Sequence, residues 1–466
     1  MAKVKQSVLN EEAEGKSLME ILAMGKGSTV FKQNNYADYS YQTGIPIIDY
    51  ALGYEICVKD NKGTLIKKRK CLGLQAGTFN VVSGMTQAFK TTIMIQAISN
   101  IAFKYGGNVK HYDTEQRSVF ERIKQLSKLP EEWFDGDHPQ YSYHFGAIGF
   151  DTLQKDITTI YENKMRYKDV LMKDTGEVDS HNNPVYMMPP TVIFLDSLQD
   201  VISEEARYDV NNKEFNDDPE LRSNMAGAQN AKTVRGFLTD ILPMLKEANI
   251  IFIAIAHKTS NMGQGTFSPP KKQFTYASVS ERISGGSAVE FNASAVISLS
   301  GVNASDAIFS KETDGFNGNK TLFEPTKCST NESGNKRTGR GFELVIDRDN
   351  NGVDNIRSLI LFLKSKNRLK GNSANYKVLD KNGEEITNRF GWKTCHEDFK
   401  NDPESFKTFM KTCREELEAY IAKSDENVAG TIDPMDLSQF KCRGIDKVGC
   451  FGFETISLED MFDMAC

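Results

Sequence analysis

Long apolar runs are missing from this chain of 466 residues. The longest near its middle, Ile250–Ala256, suits a buried strand and falls far short of the ~20 residues that span a bilayer as a helix. No membrane partner is expected. The eight cysteines (57, 71, 328, 395, 413, 442, 450 and 466) form no CxxC pair and have no histidines at zinc spacing. Free thiols in a reducing compartment are therefore expected, without a thiolate metal site. The opening MAKVKQSVLNEEAEGK has no apolar stretch behind its lysines, so a secretory signal is not expected and the reading is cytoplasmic. A basic excess is missing too: 57 Lys and Arg against 63 Asp and Glu leave a net charge of −6. That excludes a uniformly basic nucleic-acid coat but leaves room for a local basic groove. The two tryptophans, Trp133 and Trp392, carry no functional signal.

What is present is a rhythm of apolar strands and amphipathic helices. FNVVSG reads as a strand, TTIMIQAISNIAFKYG as a helix and NVKHYDTE as a strand. After a helical region come the strand TVIFLDSLQDV, the helix KTVRGFLTDILPMLKEA, and the strands NIIFIAIAHK and SAVISLS. Such alternation indicates an α/β fold with a mostly parallel central sheet covered on both faces. Functional groups then gather at the carboxyl ends of the strands. Before this region, VKDNKGTLIKKRKCLGLQAG reads as a hairpin turning at Asp60–Gly63; its Lys67–Lys70 run suits a basic patch for nucleic acid or, the favoured reading, a solvated strand edge. Residues 302–358 read as a β-hairpin region with a long flexible loop near 311–340. Within it DRDNNGVDN (347–355) starts like a calcium loop but has Ser358 at the closing position, so a hairpin turn at Asn350–Gly352 is expected. The expected division is an N-terminal arm over 1–44 with one apolar patch (SLMEILA, 17–23), a core over 45–380 and a small C-terminal region over 381–466.

Residues 81–92, VVSGMTQAFKTT, approach the pattern G-x-x-x-x-G-K-[ST], in which backbone N–H groups cradle phosphates. Gly84 opens the loop, Met85, Thr86, Gln87 and Ala88 form it, and Lys90, Thr91 and Thr92 close it. Phe89 replaces the second glycine. In this pattern the lysine reaches the β- and γ-phosphates and the hydroxyl of Thr91 binds Mg²⁺. A nucleotide hydrolase also needs a metal-holding carboxylate and a base for water. Asp196 ends an apolar strand and suits the first role. Glu115 ends the strand after the loop helix and suits the second, with Asp113 two residues before it on the same strand face. His257 follows IIFIAIA, where it can report the γ-phosphate or simply satisfy nearby backbone groups.

These segments resemble the RecA family, and within it the UvsX-type recombinases of tailed phages, across roughly 42–378. TGIPIIDYALGYEI, YDTE and IFLDSL are similar to family segments, and IAHK carries the histidine of the phage branch. SGMTQAFKTT is similar to that branch in having Phe before the lysine. SGGSAVEFNASAVISL (284–299) is close to the segment that closes the family's second DNA loop. The resemblance implies a RecA-like P-loop ATPase core using ATP and Mg²⁺, with residues 1–44 as a polymerisation arm clasping a neighbouring subunit. It further implies a helical filament on single-stranded DNA, strand exchange with homologous double-stranded DNA, and a mediator and a single-strand-binding protein as partners. By the same resemblance Lys366 and Arg368 reach a neighbouring copy's phosphates, and Arg122 falls where relatives stack a Tyr near the adenine, with a surface helix residue as the equal alternative.

The loop 258–286 suits single strands. Lys258, Lys271, Lys272 and Arg282 oppose one anion, with Phe267, Phe274 and Tyr276 interleaved to stack on bases. A first DNA loop is expected near 203–225, but its acidic balance leaves only Arg222, Asn224 and Met225 as candidates. A hexameric RecA-fold helicase is the alternative to a recombinase, and an ATP-dependent assembly protein without DNA binding is a third. Lys90→Ala should abolish DNA-stimulated ATP hydrolysis, measured as phosphate release. Persistent activity would show the loop assignment to be wrong.

Overall fold

The structure, a computed structural model, describes residues 39–60, 62–136, 138–201, 219–260, 281–283, 286–301, 318–328, 341–347, 352–421 and 431–432. At 219–231, 259–260, 281–283, 286–287 and 431–432 it describes the backbone alone. The chain divides after Asn35 into two compact units, the first of which lies outside the described residues.

The second unit is an α/β fold on one large sheet. Its strands in chain order are β1 (Phe79–Gly84), β2 (Asn108–Asp113), β3 (Tyr141–Phe145), β4 (Thr191–Asp196), β5 (Ile250–Ser260), β6 (Ala295–Gly301), β7 (Gly318–Cys328), β8 (Phe342–Asp347) and β9 (Gly352–Asp354). They lie in the order β9-β8-β7-β6-β1-β5-β4-β2-β3, and Glu281–Ile283 pairs with the end of β5. From β6 to β3 every pairing is parallel, while β7, β8 and β9 add an antiparallel edge.

The central strands are apolar on both faces because both faces are covered. In β4, Val192 and Phe194 join one core with helix α1 (Lys90–Lys104), while Ile193 and Leu195 join another. That second core includes Leu153 and Ile157 of α2 (Phe150–Arg166) and Phe237 and Ile241 of α3 (Pro219–Glu247). The two-residue side-chain period thus feeds two layers of helix from one strand. At the amino ends of β4 and β5, the Lys164 ammonium of α2 donates to the carbonyls of Pro189 (2.7 Å) and Ala248 (2.9 Å).

The expected hairpin forms as Tyr54–Lys59 against Leu65–Cys71, and the Asp60 carboxylate accepts the amides of Lys62 and Thr64 at 2.8 Å each. Its basic run, however, is not a solvated edge. Arg69 is 1% exposed and lies 3.4 Å from Glu177, and Lys70 lies 2.9 Å from Glu418. Glu177 belongs to a second hairpin (Lys173–Val178 and Pro184–Met187) that sequence reading missed, as it missed the edge strand β3. Asp347 pairs with Gly352 between antiparallel strands, and residues 348–351, which include most of the turn expected at Asn350–Gly352, lie outside the described residues.

Both expected boundaries fall inside packed structure. Ser40 and Tyr41 pair with Leu74–Gln75 and are buried, and the Asp49 carboxylate accepts the Thr43 amide at 2.7 Å. Beyond residue 380, Phe390, Phe399, Phe409 and Leu417 share the core of Leu359 and Leu363. Buried Asp354 ties the two parts by pairing with His396 Nε2 (3.0 Å), and Arg357, held by Asp354 at 2.6 Å, donates to the carbonyls of Trp392 (3.1 Å) and Lys393 (3.0 Å). Among the described residues no helix is long and apolar enough to cross a membrane, and cysteines 57, 71, 328, 395 and 413 are free thiols.

Burial pushes the His111 imidazole of β2 down to about 3, so it is neutral in the fold. The unfolded chain takes up a proton there near pH 6.5, and the folded chain does not. Stability should therefore fall as pH drops from about 6.5 towards 3, by at most about 1.4 kcal/mol per unit from this group. Urea unfolding of the native chain and His111→Phe across that range checks this. Parallel pH dependences in the two would contradict it.

Candidate active site

The sheet register assembles the site. Gly84 of β1 lies beside His257 of β5 on one side and Leu299 of β6 on the other, and Asp113 of β2 lies beside Asp196 of β4. Three strand ends, those of β2, β4 and β5, thereby deliver polar residues to one rim, at the point where β1 leads into the loop. A side chain at Gly84 would come within 2.3 Å of the Leu299 carbonyl oxygen, which explains the glycine that opens the loop. Phe89 adopts the left-handed conformation (φ 58°, ψ 24°) that a glycine takes without strain. The phenyl ring packs against the core, so apolar burial offsets that local cost.

Lys90 begins α1, and its ammonium donates to the carbonyls of Gly84 (3.2 Å) and Met85 (2.9 Å). Burial lowers its pKa, against the raising effect of Asp196 and Glu115. The first turn of α1 has no side-chain cap and no acidic residue, so its leading amides suit an anion. Thr91 Oγ1 donates to Asp196 Oδ2 at 2.5 Å. Burial pushes Asp196 up to about 7, and the nearby Glu115 and Asp113 carboxylates add to this. A hard cation would relieve that crowding, and adjacent hydroxyl and carboxylate oxygens are the donors Mg²⁺ takes alongside substrate phosphates. The residues therefore fit the implied metal. No cluster of three or more His, Cys, Asp or Glu side chains suited to a metal occurs among the described residues.

Glu115 lies beyond the end of β2, not on it. Asp113 is turned away into its own loop, where its carboxylate accepts the amides of Gln116 and Ser118 at 2.8 Å each and the Tyr143 hydroxyl at 2.9 Å. The expected pair on one strand face is thus replaced by a buttress and a functional group. Glu115 Oε1 meets His257 Nε2 at 2.5 Å, and Oε2 lies 3.3 Å from Arg117 Nη1.

These groups line a cavity of about 360 Å³. Its walls include Thr86, Gln87, Ala88, Phe89 and Thr92 of the loop region, and Arg122 with Val119 and Ile123. A larger cavity of about 660 Å³ opens at the opposite, amino ends of β2 and β4, lined by Tyr39, Tyr41, Phe103 and Trp133 among others. The smaller one gathers Lys90, Thr91, Asp196, Glu115 and His257 and is therefore the candidate for chemistry. Sequence reading missed Arg117, although its place two residues after Glu115 was the available signal.

Other expected residues lie elsewhere. Lys366 contacts the Tyr420 hydroxyl and sits 4.6 Å above that ring, while Arg368 pairs with Glu416 and donates to the Leu379 carbonyl at 2.8 Å. Neither lines the cavity. Lys258 is a strand residue of β5, not a loop residue, and its ammonium donates to Ser298 Oγ at 2.9 Å. Arg222, Asn224 and Met225 lie within α3 and Arg282 in the short strand beside β5, by backbone alone. Phe267, Lys271, Lys272, Phe274 and Tyr276 lie outside the described residues.

Neither protein-family models nor curated proteins match the chain.

Arg368 is buried, and removing it leaves Glu416 without its cation. Arg368→Ala should destabilise the fold by roughly 2–4 kcal/mol, read by urea unfolding. Unchanged stability with lost ATPase activity would instead place it in a neighbouring copy's site.

Proposed function

We propose that this chain is an ATP-hydrolysing recombinase of the RecA class. The supporting observation is the meeting, in one cavity at the strand ends, of a loop lysine, a hydroxyl–carboxylate pair and a histidine-backed glutamate. In this reading the leading amides of α1 hold the phosphates, and Lys90 leaves its two carbonyl partners for phosphate oxygens. Thr91 and Asp196 hold magnesium, which when bound neutralises charge on the phosphates. Glu115 accepts a proton from the attacking water, while His257 keeps one of its oxygens in place. Arg122 and Val119 form part of the wall for the base.

The DNA half of the proposal rests on the resemblance. Lys258 follows His257 directly within β5, so a change at His257 would have a path of three strand residues, 258–260, to the segment 261–280. In the proposed filament, the segment 261–280 holds single-stranded DNA, the residues before Tyr39 clasp the next subunit, and homologous duplex is exchanged.

Glu115→Gln should bind ATP but hydrolyse it on the order of 10²–10⁴-fold more slowly. Imaged by electron microscopy with ATP and single-stranded DNA, it should form helical filaments. Closed rings would favour the helicase, and the absence of any DNA-bound polymer would remove both readings.

A further inference from the structure

A triphosphate site needs positive charge near the terminal phosphoryl group, where charge develops during transfer. The two cations that the resemblance assigns to a neighbouring copy are committed to Tyr420 and Glu416 in this chain. The cavity has another guanidinium of its own. Three cations line it, Lys90, Arg117 and Arg122, against two carboxylates, Glu115 and Asp196.

Arg117 is placed by a well-held backbone and a loosely held side chain. Asp113 fixes the amides on either side of it, at Gln116 and Ser118, and Gln116 takes a left-handed conformation (φ 56°) that turns the chain. The Arg117 side chain itself is 70% exposed, with Nη1 3.3 Å from Glu115 Oε2. An ion pair that open to water is weak, so a more highly charged partner at the same place displaces it. On the reading of Glu115 as base, the water it activates attacks the terminal phosphorus. That phosphoryl group must lie next to Glu115, and hence next to the guanidinium now resting on it.

We propose that Arg117 is a cation for the terminal phosphate, supplied from the same chain. When ATP binds, Arg117 exchanges Glu115 Oε2 for a γ-phosphoryl oxygen. The exchange releases that carboxylate oxygen to accept the proton of the attacking water, and leaves positive charge on the oxygens that gain charge in the transition state. ADP has no such group, so Arg117 distinguishes triphosphate from diphosphate. This inference rests on the ATPase reading above.

The test measures Mg²⁺-dependent binding of ADP and of a non-hydrolysable imido analogue of ATP, together with kcat and KM for ATP. The full-length chain is compared with Arg117→Ala and Arg117→Lys. Arg117→Ala should weaken the triphosphate analogue about tenfold, leave ADP within about twofold and lower kcat about tenfold or more, with Arg117→Lys recovering part of each. An unchanged ratio of the two affinities overturns the proposal, whether both nucleotides bind as before or both are lost alike, and so does an unchanged kcat. Unmodified chain that binds neither nucleotide overturns the ATPase reading itself, and that result is read before any variant.

Discussion

Parallel register at the carboxyl ends of β1, β2, β4 and β5 is the constraint on which the candidate site depends. Gly84 stands beside His257, and Asp113 beside Asp196, because the strands pair residue for residue up to their ends. A one-residue slip would turn every side chain of a strand to the other face and exchange the two helix layers. The apolar alternation that feeds the two cores therefore also aligns the polar residues at the rim. Packing and chemistry share one geometric cause.

Around that rim, each charged group is held by a partner a nucleotide could replace. Lys90 rests on two loop carbonyls, Thr91 on Asp196, and Glu115 between His257 and Arg117. Burial drives the Lys90 pKa down and the Asp196 pKa up, so both charges are disfavoured as the site stands. A magnesium–triphosphate would bring the opposite charge to each. On the proposed reading, binding would exchange these internal contacts for charge-matched ones.

Strands with continuous apolar faces were legible in the sequence because burial on both sides leaves a plain signature: β1, β4 and β5 stand where their residues suggest. So were the loop lysine, Thr91, Asp196 and His257, each at a strand or helix end. Other features depend on tertiary partners that no local pattern carries. Tyr141–Phe145 is an edge strand with mixed polarity, and Lys67–Lys70 looks like a surface patch until Glu55, Glu177 and Glu418 are brought to it. Asp113 and Glu115 share a strand face only if β2 runs on, and the loop bound by Asp113 ends it first. Arg368 carries the charge of a transferable cation, but Glu416 and the Leu379 carbonyl hold it inside.

The most direct test of the central claim is a structure of the chain with Mg²⁺ and a non-hydrolysable ATP analogue. The account predicts phosphates at the leading amides of α1, with Lys90 Nζ moved from the Gly84 and Met85 carbonyls onto phosphate oxygens. It also predicts that Thr91 and Asp196 part to flank the metal. A nucleotide bound elsewhere, or at this loop with Lys90 still on both carbonyls, would contradict it.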